Sequence, residues 1–390
     1  MFPLLRTDPE RAAWIDQAAA DIGALAEASR AELDAANRQN RFPREVYAEL
    51  GRRGYLGPLV PEQWGGLGGG VAEYVVISEE IGRHGMVTGQ VAIQGQRWLL
   101  DWGTDEQKER WLSGIATGQL VFSESISEKN AGSSFKTMEA TVTRDGADWI
   151  VTGDKTHVNM GADCDVTLFY GNAPEGLTSV LVDMSRPGIT TKVTDAIGSR
   201  LIRTADVHFD HVRVRDADLL GPAGGGLQTF LSTFNVSRLG NASELIGFGR
   251  RTLELALRYA QQRQVGDSMV TDFQGIQWMV ADAWTALHAA SLARDHAALS
   301  YDQGREVAQE VAQEVALHTT AAKQLAVTAA ENASRTAYSM TGGHSLYFDQ
   351  PYTDIDNEIK VLKVAGGSAE IMRNYIARRV LSGPGHEGVN

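Results

Sequence analysis

The sequence of 390 residues contains a single cysteine, Cys164, and fewer basic than acidic side chains, with 36 Lys and Arg against 49 Asp and Glu. One cysteine excludes an internal disulfide framework, and Cys164 forms no recognised motif with a catalytic histidine. A formal net charge of −13 opposes binding to nucleic acid and to anionic membrane surfaces, because the field of the protein repels both. The composition therefore predicts a protein of a reducing compartment that binds neither.

Long apolar runs are also absent from the sequence. The first apolar stretch ends after residues 2–5 (FPLL), which is too short for the core of a signal peptide. No segment has the roughly 20 consecutive apolar residues of a transmembrane helix. The hydrophobic content of 43% with 22% charged residues is typical of a globular protein. We therefore expect a cytoplasmic protein whose length allows two or three packed domains.

The order of patterns along the chain predicts an α+β fold. Residues 1–120 are dominated by Ala-rich amphipathic helical segments, and residues 121–225 by short runs with period-two character, such as 166–170. Helical patterns return over residues 226–390. These stretches are the expected N-terminal helical domain, middle β domain and C-terminal four-helix bundle domain. Strands and helices do not alternate, so a doubly wound parallel sheet is not expected.

Five groups of segments resemble, in order, the motifs of one protein family. They are residues 60–68 (VPEQWGGLG) with 78–81 (SEEI), 127–134 (SEKNAGSS), 153–155 (GDK) with 209–214 (FDHVRV), 259–266 (YAQQRQVG) with 273–274 (FQ), and 341–344 (TGGH) with 366–378 (GGSAEIMRNYIAR). The acyl-CoA dehydrogenase family has similar motifs, PE..GG.G, TEP.AGSD, G.K.WITN, YA..R..FG...FQ and YEGT.EI.R..IAR. The resemblance covers nearly the whole chain. It implies an FAD-dependent enzyme that forms a homo-oligomer, either a dimer or a tetramer.

The resemblance also implies where FAD binds. FAD would lie between the β domain and the C-terminal helices, with its pyrophosphate held partly by a neighbouring subunit. Arg263 would bind the pyrophosphate, because a guanidinium offers forked donors to phosphate oxygens. The expected cofactor contacts are Ile126, Ser127, His157, Asn159, Arg263, Gln274, Thr341, Gly342, Gly343, Ser368 and Glu370. The glycine pairs do not follow a strand in the G-x-G-x-x-G pattern, so a Rossmann domain is excluded, and no metal site is expected.

The catalytic base of the family has no counterpart at its usual place. Family members remove the α-proton of an acyl thioester with a glutamate, where this chain has Gly366, and some relatives use a second position, where it has Ser237. An unassisted serine hydroxyl is far too weak a base. General-base catalysis typically contributes about 10²–10⁴-fold, so another group must substitute.

Two side chains are candidates for the missing base. Glu244 lies seven residues after Ser237, so two helical turns would bring it to roughly the same face. The alternative interpretation of Glu244 is a surface or capping glutamate. His157 replaces a tryptophan of the family motif and titrates near neutral pH, and its alternative is a polar residue that fills the space of that tryptophan. Both are predicted catalytic residues.

Several residues match positions that contact the substrate in the family. Gln90 and Gln94 match positions that line the acyl pocket, which implies a polar floor and a short, functionalised acyl group. The other expected substrate contacts are Ser133, Phe234, Arg238 and Gly366. The carrier of the thioester is either coenzyme A or an acyl carrier protein, and the residues do not identify the electron acceptor.

The leading functional hypothesis is an FAD-dependent oxidoreductase that transfers a hydride from an acyl thioester to flavin N5 without the usual glutamate. Oxidation of an alcohol or aldehyde-hydrate carbon would not require that base, as in carrier-protein dehydrogenases that make unusual polyketide extender units. One alternative is a flavin monooxygenase of the same fold, whose flavin is reduced by a separate partner. The other is a non-redox or inactive flavoprotein subunit.

Overall fold

The computed structural model describes residues 1–86, 90–303 and 309–382, without the side chains of residues 90–92 and 309–312. The α-helices are α1 (Pro9–Ala28), α2 (Arg30–Gln39), α3 (Arg44–Arg52), α4 (Val71–His84), α5 (Gln90–Trp102), α6 (Asp105–Gln107), α7 (Ser113–Ala116), α8 (Gly226–Ser232), α9 (Phe234–Ala260), α10 (Gln274–Gln303), α11 (Gln309–Thr341), α12 (Tyr352–Val364) and α13 (Ala369–Leu381). The strands are β1 (Phe122–Ser125), β2 (Thr141–Asp145), β3 (Asp148–Val158), β4 (Val166–Ala173), β5 (Gly176–Asp183), β6 (Ile189–Val193), β7 (Ala205–Arg215), β8 (Gln264–Val265) and β9 (Ser268–Met269). Helices precede and follow the strands, as the sequence predicts.

The strands β1 to β7 form one mixed sheet, and β8 and β9 form a separate ribbon. The order in the sheet is β1-β4-β2-β3-β7-β6, with β5 also paired to β4. β4 pairs in parallel with β1, where Ser125 lies opposite Phe169, and then with β2 at Asn172. The remaining pairs are antiparallel. Residues 126 and 127 therefore leave the sheet at the end of a short strand whose neighbour, β4, is buried through most of its length.

Packing divides the chain into two compact units built from non-consecutive pieces. Unit 1 consists of Met1–Ala28, Val71–Met86 and Arg238–Asn390, and unit 2 consists of Ser29–Gly70 and Val87–Ser237. Unit 2 contains the seven-stranded sheet, whereas unit 1 contains the long helices α10 and α11. The sequence predicted three consecutive domains, and their boundaries stay a prediction.

The core of unit 1 includes a buried carboxylate on α4. Glu79 is 0% exposed and forms an ion pair with Arg294 at 2.8 Å between Oε2 and Nη1, and it also contacts Arg250. Burial alone would raise the pKa of Glu79, but the amino group of Met1 and the two guanidinium groups outweigh it and lower the pKa to about 2. A buried charge of this kind is stabilising only while its partners remain in place.

The core of unit 2 combines apolar strand residues with tryptophans whose indole nitrogens are hydrogen-bonded. Trp98 and Trp149 are both fully buried. Trp98 Nε1 donates to the carbonyl of Thr229 at 2.9 Å, and Trp149 Nε1 donates to Asp216 Oδ1 at 2.9 Å. These bonds satisfy the polar end of each ring, so that both large side chains can be buried without an unpaired donor.

Three further observations bear on membrane-spanning proteins, metal-binding proteins and enzymes with a cysteine nucleophile. Within the described residues, no helix combines the length and the apolar character needed to cross a membrane. In the same residues, no group of three or more His, Cys, Asp or Glu side chains could hold a metal ion. Burial raises the pKa of the Cys164 thiol to about 12, so the thiolate form needed for nucleophilic chemistry is scarce at neutral pH.

Candidate active site

The end of β1 in unit 2 carries the residues expected to contact the flavin ring. Lys155 Nζ donates to the carbonyl of Ile126 at 3.1 Å and to Glu128 Oε1 at 2.7 Å. The backbone N–H of Thr156 donates to the carbonyl of Ser127 at 2.8 Å. Burial lowers the pKa of Lys155 to about 8, although Glu128 opposes this shift. Ile126 and Ser127 are thus held by their carbonyl groups against β3, and the Ser127 side chain is half-buried.

The segment after Lys155 is irregular where the sequence predicted two more flavin contacts. The pairing of β3 with β7 shifts register between Lys155 and Val158, and His157 has a φ of 56°. The His157 side chain is exposed, and its backbone N–H donates to Asp206 Oδ1 at 3.4 Å. The carbonyl of Asn159 accepts a hydrogen bond from Ser123 Oγ at 2.7 Å. This bond links the irregular segment to β1, and irregular strand geometry is frequent next to active sites.

Unit 2 also carries predicted substrate contacts. Gln94 on α5 is 5% exposed, which is unusual for an amide side chain, and Phe234 is half-buried at the start of α9. Ser133 is exposed in the loop after β1. Ser237, at the second position that relatives use for the base, is 7% exposed. The side chain of Gln90 lies outside the described part of the chain.

In unit 1, the predicted base position lies in a loop between α12 and α13 that is held by a buried lysine. Lys323 Nζ donates to the carbonyls of Ala365 and, at 3.0 Å, of Gly367. Lys323 is 0% exposed. Burial, reinforced by the charge of Arg238, lowers the pKa of Lys323 to about 7. The lysine closes the loop around Gly366 through both flanking carbonyl groups.

The backbone and the surroundings of Gly366 both disfavour a side chain. Its φ is 66°, in the left-handed region that L-residues rarely adopt. A Cβ built on Gly366 would overlap Nδ2 of Asn241 and would lie 3.4 Å from Lys323 Nζ. Asn241 is 5% exposed, and its Nδ2 lies 3.5 Å from the carbonyl of Ala365. The amide of Asn241 therefore takes the space beside Gly366.

Two other predicted residues of unit 1 are buried on α9. Arg238 is 5% exposed, and its Nη1 donates to Thr320 Oγ1 at 2.9 Å. Burial lowers the pKa of Arg238 to about 10, so the guanidinium stays charged at neutral pH. Glu244 is 3% exposed. Burial of Tyr74, and after it the charge of Glu244, raises the pKa of Tyr74. The candidate base Glu244 is thus close to α4 of the same unit.

Most of the cofactor contacts expected in unit 1, including the pyrophosphate contact Arg263, lie at its surface. Arg263 is exposed beside the β8–β9 ribbon, and Gln274 is exposed at the first position of α10. Thr341 is buried, and its hydroxyl donates to the carbonyl of Ala337 at 2.7 Å. Glu370 is exposed in the first turn of α13, and Ser368 Oγ caps that helix by accepting from the N–H of Ile371 at 3.4 Å.

These surface residues fit a dinucleotide in chemistry and in the space around them. A Cβ added to Gly343 would meet no protein atom within 4 Å, and the same holds for Gly275 inside α10. Packing among the described residues does not require a glycine at either position. A group from outside the chain that approaches the backbone closely would explain both glycines. An exposed guanidinium at Arg263 supplies the charge that phosphate requires.

Three family models match the chain in order. They are the acyl-CoA dehydrogenase N-terminal domain over residues 16–119, the middle domain over 123–212 and the C-terminal domain over 224–381. The acyl-CoA dehydrogenase FadE12 of Mycobacterium tuberculosis is 30% identical over 361 residues, which cover 89% of this chain and 90% of that protein. The chain belongs to the acyl-CoA dehydrogenase family. An acyl-CoA dehydrogenase of Bacillus subtilis is 28% identical over 354 residues, covering 88% of this chain and 91% of its own.

A solved structure of an acyl-CoA dehydrogenase relative shows the same fold. The glutaryl-CoA dehydrogenase of Mycobacterium smegmatis in complex with FADH2 has a TM-score of 0.85 at 23% identity, covering 94% of this chain and 95% of that one. These findings confirm the predicted family, its α+β fold and an acyl-CoA dehydrogenase-like flavoenzyme with FAD as cofactor. The roles of the individual site residues stay predictions.

One half-buried acidic residue of unit 2, whose Oε1 atom is fully buried, was not singled out by the sequence patterns. Glu124 lies in the middle of β1, and its Oε1 atom has no hydrogen-bond partner among the described residues. The strand reads Phe-Ser-Glu-Ser, which lacks the apolar alternation used to find strands. The sequence contained one indication of this residue, which is that a charged side chain stands three positions before Ser127, the first residue of the expected flavin loop.

Proposed function

We propose that this acyl-CoA dehydrogenase family member oxidises a short, polar acyl thioester without a glutamate at the usual base position. The conformation around Gly366 carries this proposal. A glutamate there would require a left-handed backbone, at about 1–2 kcal/mol, and displacement of the Asn241 amide. The loop is therefore built for glycine, and the resemblance assigns to this glycine the place of the family's base.

The residues of the chain would divide the remaining tasks between them. When bound, FAD supplies a two-electron acceptor. Ile126 and Ser127 would orient the flavin ring through backbone groups and a hydroxyl, and Arg263 would bind the pyrophosphate. Arg238, which is buried and charged, would donate hydrogen bonds to the thioester or its carrier. Gln94 would present an amide to the acyl group, which supports a polar substrate.

The proton acceptor must be a group other than residue 366. Glu244 and His157 are the proposed candidates, and they differ in environment, because Glu244 is 3% exposed whereas the His157 side chain is exposed. An acyl group that is oxidised at an alcohol carbon would lose its hydroxyl proton in place of an α-proton, and Glu244 and His157 are again the candidates to accept it. The carrier is then either coenzyme A or an acyl carrier protein.

We also propose that the protein forms a homo-oligomer. Phe348 is 98% exposed and Trp278 is 62% exposed, and both belong to unit 1. They are close in sequence to Gly343 and Gln274, which are expected to bind FAD across a subunit boundary. Aromatic side chains are enriched at protein interfaces, which supports an interface at this boundary. Light scattering of the purified protein would measure the oligomeric state directly, and a monomer would contradict the proposal.

The proposed reaction is tested by anaerobic titration of the FAD-loaded protein with acyl-CoA and acyl-carrier-protein thioesters, monitored by flavin absorbance. Loss of the oxidised-flavin band with one class of thioester supports dehydrogenation and identifies the carrier. Bound flavin that no thioester reduces contradicts it and favours a monooxygenase or a non-redox subunit. Reduction that is lost in only one of the variants E244Q and H157Q, with the FAD content unchanged, would identify the proton acceptor.

A further inference from the structure

Unit 2 contains a cluster of aromatic rings that includes Tyr170 on β4, the strand paired with the one that carries Glu124. Phe230 on α8 is the centre of the cluster, with ring-centroid distances of 5.0 Å to Phe135, 5.1 Å to Phe234 and 6.1 Å to Tyr170. The three phenylalanines are half-buried, whereas Tyr170 is 0% exposed on β4. The cluster is therefore partly exposed at its three phenylalanine rings and buried at Tyr170, which lies in the sheet.

Glu124 and Tyr170 present polar atoms toward this apolar surrounding. Neither Glu124 Oε1 nor the Tyr170 hydroxyl has solvent contact or a hydrogen-bond partner among the described residues. In the parallel pair of β1 and β4, Glu124 lies opposite Leu168, so Glu124 and Tyr170 face the same side of the sheet. Burial, and after it the charge of Glu124, raises the pKa of Tyr170. Burial raises the pKa of Glu124 itself to about 8, which leaves the carboxyl group mostly neutral at pH 7.

Unpaired buried polar atoms are rare and cost free energy, so each of them requires an explanation. Two neighbouring ones, a carboxyl oxygen and a phenol, are explained together by a ligand that supplies the missing partners. A neutral carboxyl group accepts a hydrogen bond at one oxygen, and a phenol donates one. A hydroxyl group both donates and accepts, so it complements the pair, whereas an alkyl group leaves both atoms unpaired.

The position of Glu124 connects this cluster to the proposed acyl site. Glu124 is two residues before Ile126, which is the first residue after β1. Phe234, a member of the cluster, is also a predicted substrate contact. Glu124 is thus close in sequence to a predicted flavin contact, and Tyr170 contacts the same phenylalanine ring, Phe230, as the predicted acyl contact Phe234.

We propose that Glu124, supported by Tyr170, is a specificity-determining residue that binds a hydroxyl group on the acyl chain. This inference rests on the proposed function and narrows its short, polar acyl group to a hydroxyacyl thioester. The aromatic rings exclude water from the bond and contact the hydrocarbon part of the acyl group. A carboxylate on the acyl chain is disfavoured, because neither side chain offers it a compensating positive charge.

The test compares the binding of 3-hydroxybutyryl-CoA, butyryl-CoA and 3-aminobutyryl-CoA to the FAD-loaded protein by isothermal titration calorimetry. The wild type should bind the hydroxyacyl thioester about tenfold more tightly than butyryl-CoA, as expected for a hydrogen bond to a buried group. E124L should abolish this preference, whereas E124Q, which keeps an acceptor oxygen, should retain most of it. Equal binding of the first two ligands by the wild type, an unchanged preference in E124L, or tighter binding of the amino compound would overturn the proposal.

A second measurement separates a ligand-binding role from a structural one. E124L should unfold at the same or a higher temperature than the wild type without ligand, because it removes an unpaired buried polar group. A clear loss of stability, relative to the exposed control E175L, would show that the carboxyl group has partners within the protein and would overturn the proposal. Binding is measured independently of turnover. A hydroxyl preference without flavin reduction would therefore contradict the proposed dehydrogenation alone, and reduction without the preference would contradict the Glu124 assignment alone.

Discussion

The substitution Gly366→Ala tests the loop on which the proposed loss of the catalytic base depends. In the structure, Gly366 combines a φ of 66° with the amide of Asn241 beside its Cα. Alanine adds only a Cβ, so the effect reports the backbone conformation and the overlap with Asn241 without adding charge. We expect G366A to be clearly destabilised.

Two contributions to the loss of unfolding free energy add in G366A. The left-handed conformation of a non-glycine residue costs about 1–2 kcal/mol. Overfilling of a packed site typically costs a further 1–3 kcal/mol, at the lower end here because the Asn241 amide is the movable end of a side chain. The expected total is about 2–3 kcal/mol, of which roughly 1 kcal/mol should depend on Asn241.

Urea unfolding at a fixed excess of FAD, followed by tryptophan fluorescence, measures these differences. G146A is the matched control, because Gly146 has a φ of 65° but no atom within 4 Å of an added Cβ, so it should show the backbone cost alone. In an N241A background, the loss caused by G366A should fall to the value of this control. If G366A is as stable as the wild type, or if N241A leaves its cost unchanged, the inferred geometry of the loop is wrong.

Three further predictions concern the cofactor, the acyl group and stability against acid. R263A should lower FAD affinity about tenfold or more, because a charge-assisted hydrogen bond to phosphate is lost. The flavin content after gel filtration measures this loss, with R52A as the control at another exposed arginine. Full retention of flavin by R263A would contradict the assignment of Arg263. Q94L should shift substrate preference toward unsubstituted acyl chains in parallel reduction assays, and an unchanged preference would remove the argument for a polar floor. Glu79 has a folded-state pKa of about 2, below its ordinary value of 4.5, so the unfolded chain binds more protons between these values and stability should fall as the pH drops through this window. Unfolding free energies between pH 2 and 5 should show a smaller loss in E79Q than in the wild type, and equal slopes would contradict the inferred burial of the charge.

Much of the candidate site was predictable because motifs are local in sequence. Ser127 and Gly366 were assigned from short segments with characteristic order and spacing, and such segments survive when the rest of the chain diverges. The strand β1 was not predicted, since its residues are too polar to show a strand pattern. Glu124 was missed because its neighbour Tyr170 belongs to β4, which lies far from it in sequence.

The sequence by itself determined the family, the order of helices and strands, the need for FAD and the absence of a glutamate at residue 366. These properties depend on residue types and on spacing along the chain. Only the tertiary structure decided that Asn241 occupies the space beside Gly366 and that Lys323 closes the loop through the carbonyls of residues 365 and 367. The same holds for Glu124, whose Oε1 atom lies without a hydrogen-bond partner next to Tyr170. The reason is physical: a side chain's partners and the solvent around it are set by the path of the folded backbone, which brings together residues separated by tens to more than a hundred positions.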